Sequence, residues 1–275
     1  MLADSSILVS GDAVRKMNPI PSMKIVVFGG SGFIGKKLVA RLCSLGHKAV
    51  PASPSLGVNA ITGQGLATAL AGAQAVVDVT NPPAYEDQAV MDFFTTATRN
   101  LLVHGAAAGV RHHVLLSIVG IDRLPECGYY RAKLAQEQLI RAAAIPFTLV
   151  RATQFFEFIP AITQLATTAQ TVRLPAAGMQ PILGDEVAAA LTEIVLQPPL
   201  NDGQELAGPE VIGQDELARR WLKATQDART VVTDPTARYF GTLLETNSLL
   251  PGPLARRGQT TFDAWLAKSR VDVPG

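Results

Sequence analysis

Cysteine is scarce in this chain of 275 residues. Two positions, Cys43 and Cys127, supply neither a disulfide framework nor the paired spacing of a zinc site. Cys43 falls on the apolar face of the first readable helix, where a core position is expected. Cys127 reads as structural, since a free cysteine behaves as a small hydrophobe. The four histidines show no ligand spacing. His112 and His113 open a strand and are expected to be solvated or hydrogen-bonded, so no metal site is predicted. An excess of charge of one sign is lacking too. Lys and Arg number 24 against 23 Asp and Glu, a net charge of +1 with no basic block, which argues against a nucleic-acid partner. No apolar run approaches the ~20 residues that cross a bilayer. Residues 1–22 carry Asp4, Asp12, Pro19 and Pro21. They have neither the basic start nor the apolar stretch of a secretory signal. This segment reads as a flexible extension before Met23, and a cytoplasmic location is expected. There are no internal repeats.

What is present is a chain 48% hydrophobic, enough for one large α/β domain with a small appendage. Its most informative stretch runs from Lys24 to Gly35. Lys24 to Phe28 is a short β-branched and aromatic run, as in a buried parallel strand. Gly29, Gly30 and Gly32 allow a tight turn and close backbone approach. Phe33, Ile34, Leu38, Val39 and Leu42 then recur at helical spacing. A helix opening on such a turn offers free N–H groups and a partial positive charge to a pyrophosphate. Gly29, Ser31, Gly32, Phe33, Ile34 and Gly35 are therefore candidate dinucleotide contacts.

Further strands are predicted at Lys48 to Ala52, Ala75 to Val79, His113 to Ser117 and Phe147 to Arg151. Helices are predicted at Gln64 to Leu70, Gln88 to Ala108 and Tyr129 to Ala144. The alternation implies a doubly wound parallel sheet, a Rossmann-type α/β fold over 23–154. Ligands in such sheets lie beyond the carboxyl ends of the strands. That rule gathers the glycine turn, Ser53, Asn81, Ser117 and Arg151 to Phe155 around one crevice. Residues 155–275 read as a small carboxyl-terminal substrate lobe interleaved with the core. Its expected helices are Phe155 to Thr167, one capped by Asp185 and ending near Leu196, one over Glu216 to Thr225 preceded likewise by Asp215, and one at Phe262 to Ala267. A short strand is expected at Thr230 to Val232.

Tyr129 and Lys133, four apart on a predicted helix, share a face, and Ser117 ends the preceding strand. A free tyrosine has a pKa of about 10, and a nearby lysine cation lowers it. Such a tyrosine can exchange a proton with a carbonyl or alcohol oxygen, with the serine holding that oxygen. Lys133 can also bond a nicotinamide ribose. Tyr130 leaves open which tyrosine faces the crevice.

The stretches GGSGFIG, TRNLLVHGAAAGVRHHVLLSIVG and YYRAKLAQEQLIRAAAIPFTLVRATQFFEF, with GDEVAAALTEIVL and ELAGPE further on, resemble the NmrA-like branch of the atypical short-chain dehydrogenase/reductases. The resemblance runs from Met23 to about Ala267. It implies a Rossmann fold, NADP or NAD in the crevice, and a catalytic triad of Ser117, Tyr129 and Lys133. Asn81 departs from the usual Asn-Asn-Ala-Gly, being followed by Pro82 and Pro83. It is kept as a crevice residue without a catalytic role. The branch also contains members that bind the cofactor and catalyse nothing.

The end of the second strand, Lys48 to Leu56, lacks the acid that NAD binders place against the ribose hydroxyls about 20 residues beyond the turn. It also lacks an arginine. Ser53 and Ser55 could donate to a 2′-phosphate, with charge from Lys36 or Lys37. Plain solvent exposure is the preferred reading of Lys37. NADP is favoured over NAD. Ala152 and Thr153 are placed at the nicotinamide end, and Gln154, Phe155 and Phe158 at the substrate pocket. Phe156 is equally well read as lobe core.

The expected function is hydride transfer to or from a small carbonyl, quinone or related electrophile. The alternative is a non-catalytic NADP(H) sensor with a protein partner. A sugar-nucleotide epimerase is weaker, because no basic pocket for a second diphosphate is visible. No membrane association is expected. The superfamily often pairs through long helices, which makes a homodimer one arrangement to test.

Overall fold

The computed structural model describes residues 22–269. The predicted extension 1–22 lies outside them, except for Ser22. The sheet begins as the sequence implies, with β1 (Lys24–Phe28) leading through the glycine turn into α1 (Phe33–Ser44). Then come β2 (Lys48–Ala52), α2 (Leu66–Leu70), β3 (Ala75–Asp78), α3 (Asp87–Ala107), β4 (His112–Ile118), α4 (Gly128–Arg141) and β5 (Phe147–Ala152).

The carboxyl-terminal half carries α5 (Ile159–Leu165), β6 (Thr167–Thr168), β7 (Thr171–Leu174), β8 (Gly178–Met179) and α6 (Gly184–Leu196). It continues with β9 (Asp202–Ala207), β10 (Ile212–Gly213), α7 (Gln214–Thr225), β11 (Thr230–Thr233), β12 (Arg256–Arg257) and α8 (Phe262–Ser269).

Seven strands form one sheet in the order β12-β9-β5-β4-β3-β1-β2, and each of its pairings is parallel. Parallel strands must have both faces covered, because helical crossovers lie over each side. Ile25, Val27, Val77, Val114 and Val150 face α1 and α6. Val26, Phe28 and Val76 face the other way, with Leu66 and Leu70 of α2 and Leu101 of α3. Leu115 and Leu149 meet Ile140 of α4 on that same side. The strand order reverses between β1 and β3, and a ligand crevice is expected beyond the strand ends at such a switch.

The predicted boundary at residue 154 does not divide the sheet, since β9 pairs with β5 and β12 with β9. The lobe proper is a second core of Ile159, Val172, Leu174, Leu217, Leu222 and Phe262. Phe156 belongs to it, 5.4 Å from Phe262 and 5.7 Å from Trp265 between ring centres. Trp221 stacks on Trp265 at 5.9 Å.

Three local expectations need correction. Cys43 is exposed, because the buried stripe of α1 runs through Ile34, Leu38 and Leu42 and leaves it one step off. Asp185 does not cap α6. It sits in the first turn, where both its oxygens accept from Lys37 at 3.0 Å, so Lys37 is half-buried and paired rather than plainly solvated. The long helix expected over Phe155 to Thr167 is a single 3₁₀ turn followed by the shorter α5. No described helix is long and apolar enough to cross a membrane.

Candidate active site

The glycine turn is built by steric necessity. Gly29 has φ of 77°, the left-handed region that glycine enters without penalty, and a Cβ there would lie 2.6 Å from the Val79 oxygen at the end of β3. A Cβ at Gly35 would overlap the Gly29 carbonyl oxygen, so α1 can approach β1 only with glycine there. Gly32 differs. A Cβ there would meet only the Gly29 oxygen, at 3.1 Å, and its face is otherwise open. Gly32 is also the N-cap of α1, with no side chain capping the helix. Its carbonyl takes the Lys36 N–H at 3.0 Å, while no described partner accepts from the N–H groups of Phe33, Ile34 or Gly35. Orphan donors at an exposed helix start, with no Cβ in the way, fit a pyrophosphate.

The ribose end also fits a dinucleotide. Ser53 follows β2, and its hydroxyl shares a hydrogen bond with that of Ser55 at 3.0 Å. Lys36 is exposed on the first turn of α1. Phe33 leads into an aromatic group with Phe155 (6.4 Å) and Phe158 (6.1 Å), which are 5.2 Å from each other. This places Phe155 and Phe158 beside the glycine turn. Ala152 is buried in the sheet core. Thr153 is committed to the fold, its N–H donating to the Leu206 oxygen at 2.9 Å and its hydroxyl to the Gln180 oxygen at 2.6 Å.

The expected triad is not assembled as predicted. The Tyr129 hydroxyl donates to Asn81 Oδ1 at 2.6 Å, and Asn81 Nδ2 donates to the Tyr85 hydroxyl at 3.1 Å. Tyr129 stacks on Tyr85 and meets Phe94 edge-on. Burial, with Tyr85, Cys127 and Asp78 around it, pushes the Tyr129 phenol up rather than down. Ser117 is turned away from this group. It lies on the same strand face as His113 and Leu115, against α4, where its hydroxyl donates to Glu137 Oε1 at 2.6 Å. Glu137 also accepts from Arg151, Nε to Oε1 at 3.0 Å and a terminal nitrogen to Oε2 at 2.7 Å. The Lys133 ammonium points inward, to the Leu116 oxygen at 2.9 Å and Gln136 Oε1 at 2.6 Å, with the Phe94 ring 4.7 Å away. Lys133 is 3% exposed, and burial lowers its pKa to about 8 against the opposing pull of Asp78 and Glu137.

Tyr130 faces the lobe, where it and Tyr239 are buried with the Gln154 amide. Gln154 is 8% exposed and its Oε1 has no partner among the described residues. Of the two tyrosines, Tyr129 therefore stands at the strand-end crevice. A cavity of about 350 Å³ opens beside the lobe between Arg123, Glu126, Arg238 and Thr242, and none of the predicted site residues lines it. Sequence reasoning missed Asp78, Gln136 and Glu137. The signals were an acid ending the apolar run Ala75 to Asp78, and two polar residues one turn beyond Lys133. His112 bonds Thr148 at 2.9 Å as a buried, satisfied group. No cluster of metal-ligating residues occurs among the described residues.

Comparison with known proteins bears on the fold and the family. No curated protein sequence matches the chain. Among solved structures, a short-chain dehydrogenase/reductase superfamily protein from Agrobacterium tumefaciens with bound NAD superposes with a TM-score of 0.69 at 17% identity, covering 90% of this chain and 96% of that one. A dTDP-4-dehydrorhamnose reductase from Clostridium acetobutylicum gives 0.66 at 14% identity over 91% and 99%. An epimerase from Methanothermobacter thermautotrophicus gives 0.71 at 14% identity over 91% of each chain. At these identities the likeness establishes the Rossmann-type fold. The model of the NAD(P)H-binding family matches residues 56–198. That match begins downstream of the glycine turn, so turn and match are separate lines of support. It spans more than half of the chain, and the protein belongs to the NAD(P)H-binding family.

Proposed function

We propose that the protein is an NADP-dependent oxidoreductase of the short-chain type, reducing a small carbonyl, quinone or related electrophile. The observation that carries this reading is the Tyr129–Asn81 bond of 2.6 Å, because Asn81 lies two residues beyond Val79, the residue that packs on Gly29. A half-buried phenol and the glycine cradle thus share one strand-end edge. Gly32 and the first N–H groups of α1 would hold the pyrophosphate. Ser53 and Ser55 would face a 2′-phosphate, with no carboxylate between Lys48 and Leu56 to repel it. When bound, the nicotinamide supplies or accepts a hydride. Phe33, Phe155 and Phe158 exclude water from the adjoining wall.

Asn81 holds the Tyr129 hydroxyl in place. With its pKa raised by burial, Tyr129 is a neutral phenol across the physiological range, suited to giving a proton to a carbonyl oxygen. Alcohol oxidation needs the phenolate and is therefore favoured only at high pH. Ser117 has no part in this arrangement, since it is buried against α4 with its hydroxyl on Glu137, away from Tyr129.

The test begins with calorimetric titration by NADPH and, separately, NADH, followed by turnover of small carbonyls. Tyr129→Phe is expected to lower kcat about 100-fold with NADPH affinity unchanged. Equal turnover in the variant, or failure to bind either dinucleotide, removes the reading. One observation favours a second reading: Lys133 and Ser117 are both turned into the core, as a chain that senses NADP(H) without consuming it could afford. Such a sensor binds oxidised and reduced cofactor unequally and consumes neither with any carbonyl.

A further inference from the structure

A buried polar chain runs beneath the crevice on the α3–α4 side of the sheet. Asp78, fully buried at the end of β3, accepts at Oδ1 from the Thr80 N–H (2.9 Å) and hydroxyl (2.7 Å). Its other oxygen accepts from Gln136 Nε2 at 2.9 Å. The same nitrogen donates to the Thr98 hydroxyl at 3.0 Å. At the opposite end of the amide, Gln136 Oε1 accepts from Lys133 at 2.6 Å. Gln136 is itself fully buried.

This chain has a direction. A carboxylate only accepts and an ammonium only donates. Rotating the Gln136 amide by half a turn would set oxygen against Asp78 and nitrogen against Lys133, two repulsive contacts in a medium that does not screen them. One orientation survives, and it polarises the amide along the line from carboxylate to ammonium. The charged groups facing Lys133 are Asp78 from β3 and Glu137 from its own helix, the latter neutralised by Arg151 of β5. His113 of β4 faces Asp78, and α3 presents the Phe94 ring and the Thr98 hydroxyl.

We infer that Gln136, oriented by Asp78, is the positioning residue of Lys133, setting where its ammonium stands relative to the cofactor crevice and keeping it charged there. The consequence for the cofactor rests on the proposed function together with the expectation from sequence that Lys133 bonds a nicotinamide ribose. The titration of Lys133 itself does not.

The experiment is lysine-selective NMR titration of the cofactor-free protein, with the Lys133 signal assigned by its loss in Lys133→Met, alongside NADPH titrations from pH 6 to 9. The wild-type midpoint is expected near pH 8. Asp78→Asn removes a charge that favours the ammonium and lowers the midpoint by about one pH unit. Gln136→Leu lowers it as well, and Gln136→Glu, an independent variant, raises it. Thr98→Val deletes the amide's other contact and leaves the midpoint in place, which separates positioning from mere packing. NADPH affinity at pH 8 falls several-fold in Asp78→Asn and converges on wild type near pH 6. Unchanged midpoints in Asp78→Asn, Gln136→Leu and Gln136→Glu overturn the inference, as does a Thr98→Val shift equal to that of Gln136→Leu. If Lys133→Met binds NADPH as tightly as wild type, the ribose role fails, and the lysine titration still decides the positioning role.

Discussion

At the β1–α1 turn, N–H groups stand without partners around a glycine whose missing side chain leaves room. Across the crevice, Ser117 of β4 is bonded to Glu137 of α4, and Lys133 to Gln136 one turn along that helix, all four of them buried. The first wall is unfinished in the way a binding site is, with donors awaiting an acceptor. The second is already satisfied. The contrast teaches that a backbone can leave its donors open to a ligand while nearby side chains commit theirs to holding α4 against the sheet.

The contrast can be broken first on the satisfied side. Glu137→Ala leaves the Arg151 guanidinium and the Ser117 hydroxyl without their acceptor, and is expected to cost about 3–5 kcal/mol in urea unfolding. A loss under 1 kcal/mol would mean that these bonds do not hold α4 to the sheet. Acid probes the same interior more gently. Burial holds His112 at about 4, below its ordinary 6.5, so the unfolded chain takes up a proton across that window and the folded chain does not. Stability should fall as pH drops from 6.5 to 4, by on the order of 2 kcal/mol from this group. His112→Gln should flatten that slope in denaturation curves at pH 7 and 4.5.

On the open wall, Gly32→Ala sharpens the comparison. Its Cβ meets little of the protein but fills the ligand's approach, so NADPH should bind about tenfold more weakly while the melting temperature stays within a degree or two. A melting temperature that falls with affinity would place Gly32 in the fold rather than in the site. The smallest effect expected is Ser117→Ala, about 1 kcal/mol of stability through the lost bond to Glu137.

The legible parts of this molecule were those where one residue type has one physical use. Lys24 to Phe28 was readable to the residue because a buried parallel strand needs an unbroken apolar or β-branched run. The glycine turn was readable because no other residue fits Gly29 or Gly35. β9 was not, because Asp202-Gly203-Gln204-Glu205 carries no apolar signal and acquires its strand only by pairing with β5. β6, β8, β10 and β12 are two residues long, too short for any period to show. Ser117 and Lys133 were found by spacing, but spacing does not say which way a side chain turns. Glu137, one turn beyond Lys133, and Arg151 at the end of β5 decided that for Ser117. Asp78 and Gln136 decided it for Lys133.

The stacked pair Trp221 and Trp265 gives the protein a built-in optical division of labour. These are the chain's two tryptophans, and both lie in the lobe, away from the seven-stranded sheet. Indole emission therefore watches the lobe alone, whereas far-ultraviolet circular dichroism follows the helices of the whole chain. If the two signals melt together, lobe and sheet are one cooperative unit, tied through β9 and β12. If the emission changes first, the lobe opens while the seven-stranded sheet persists.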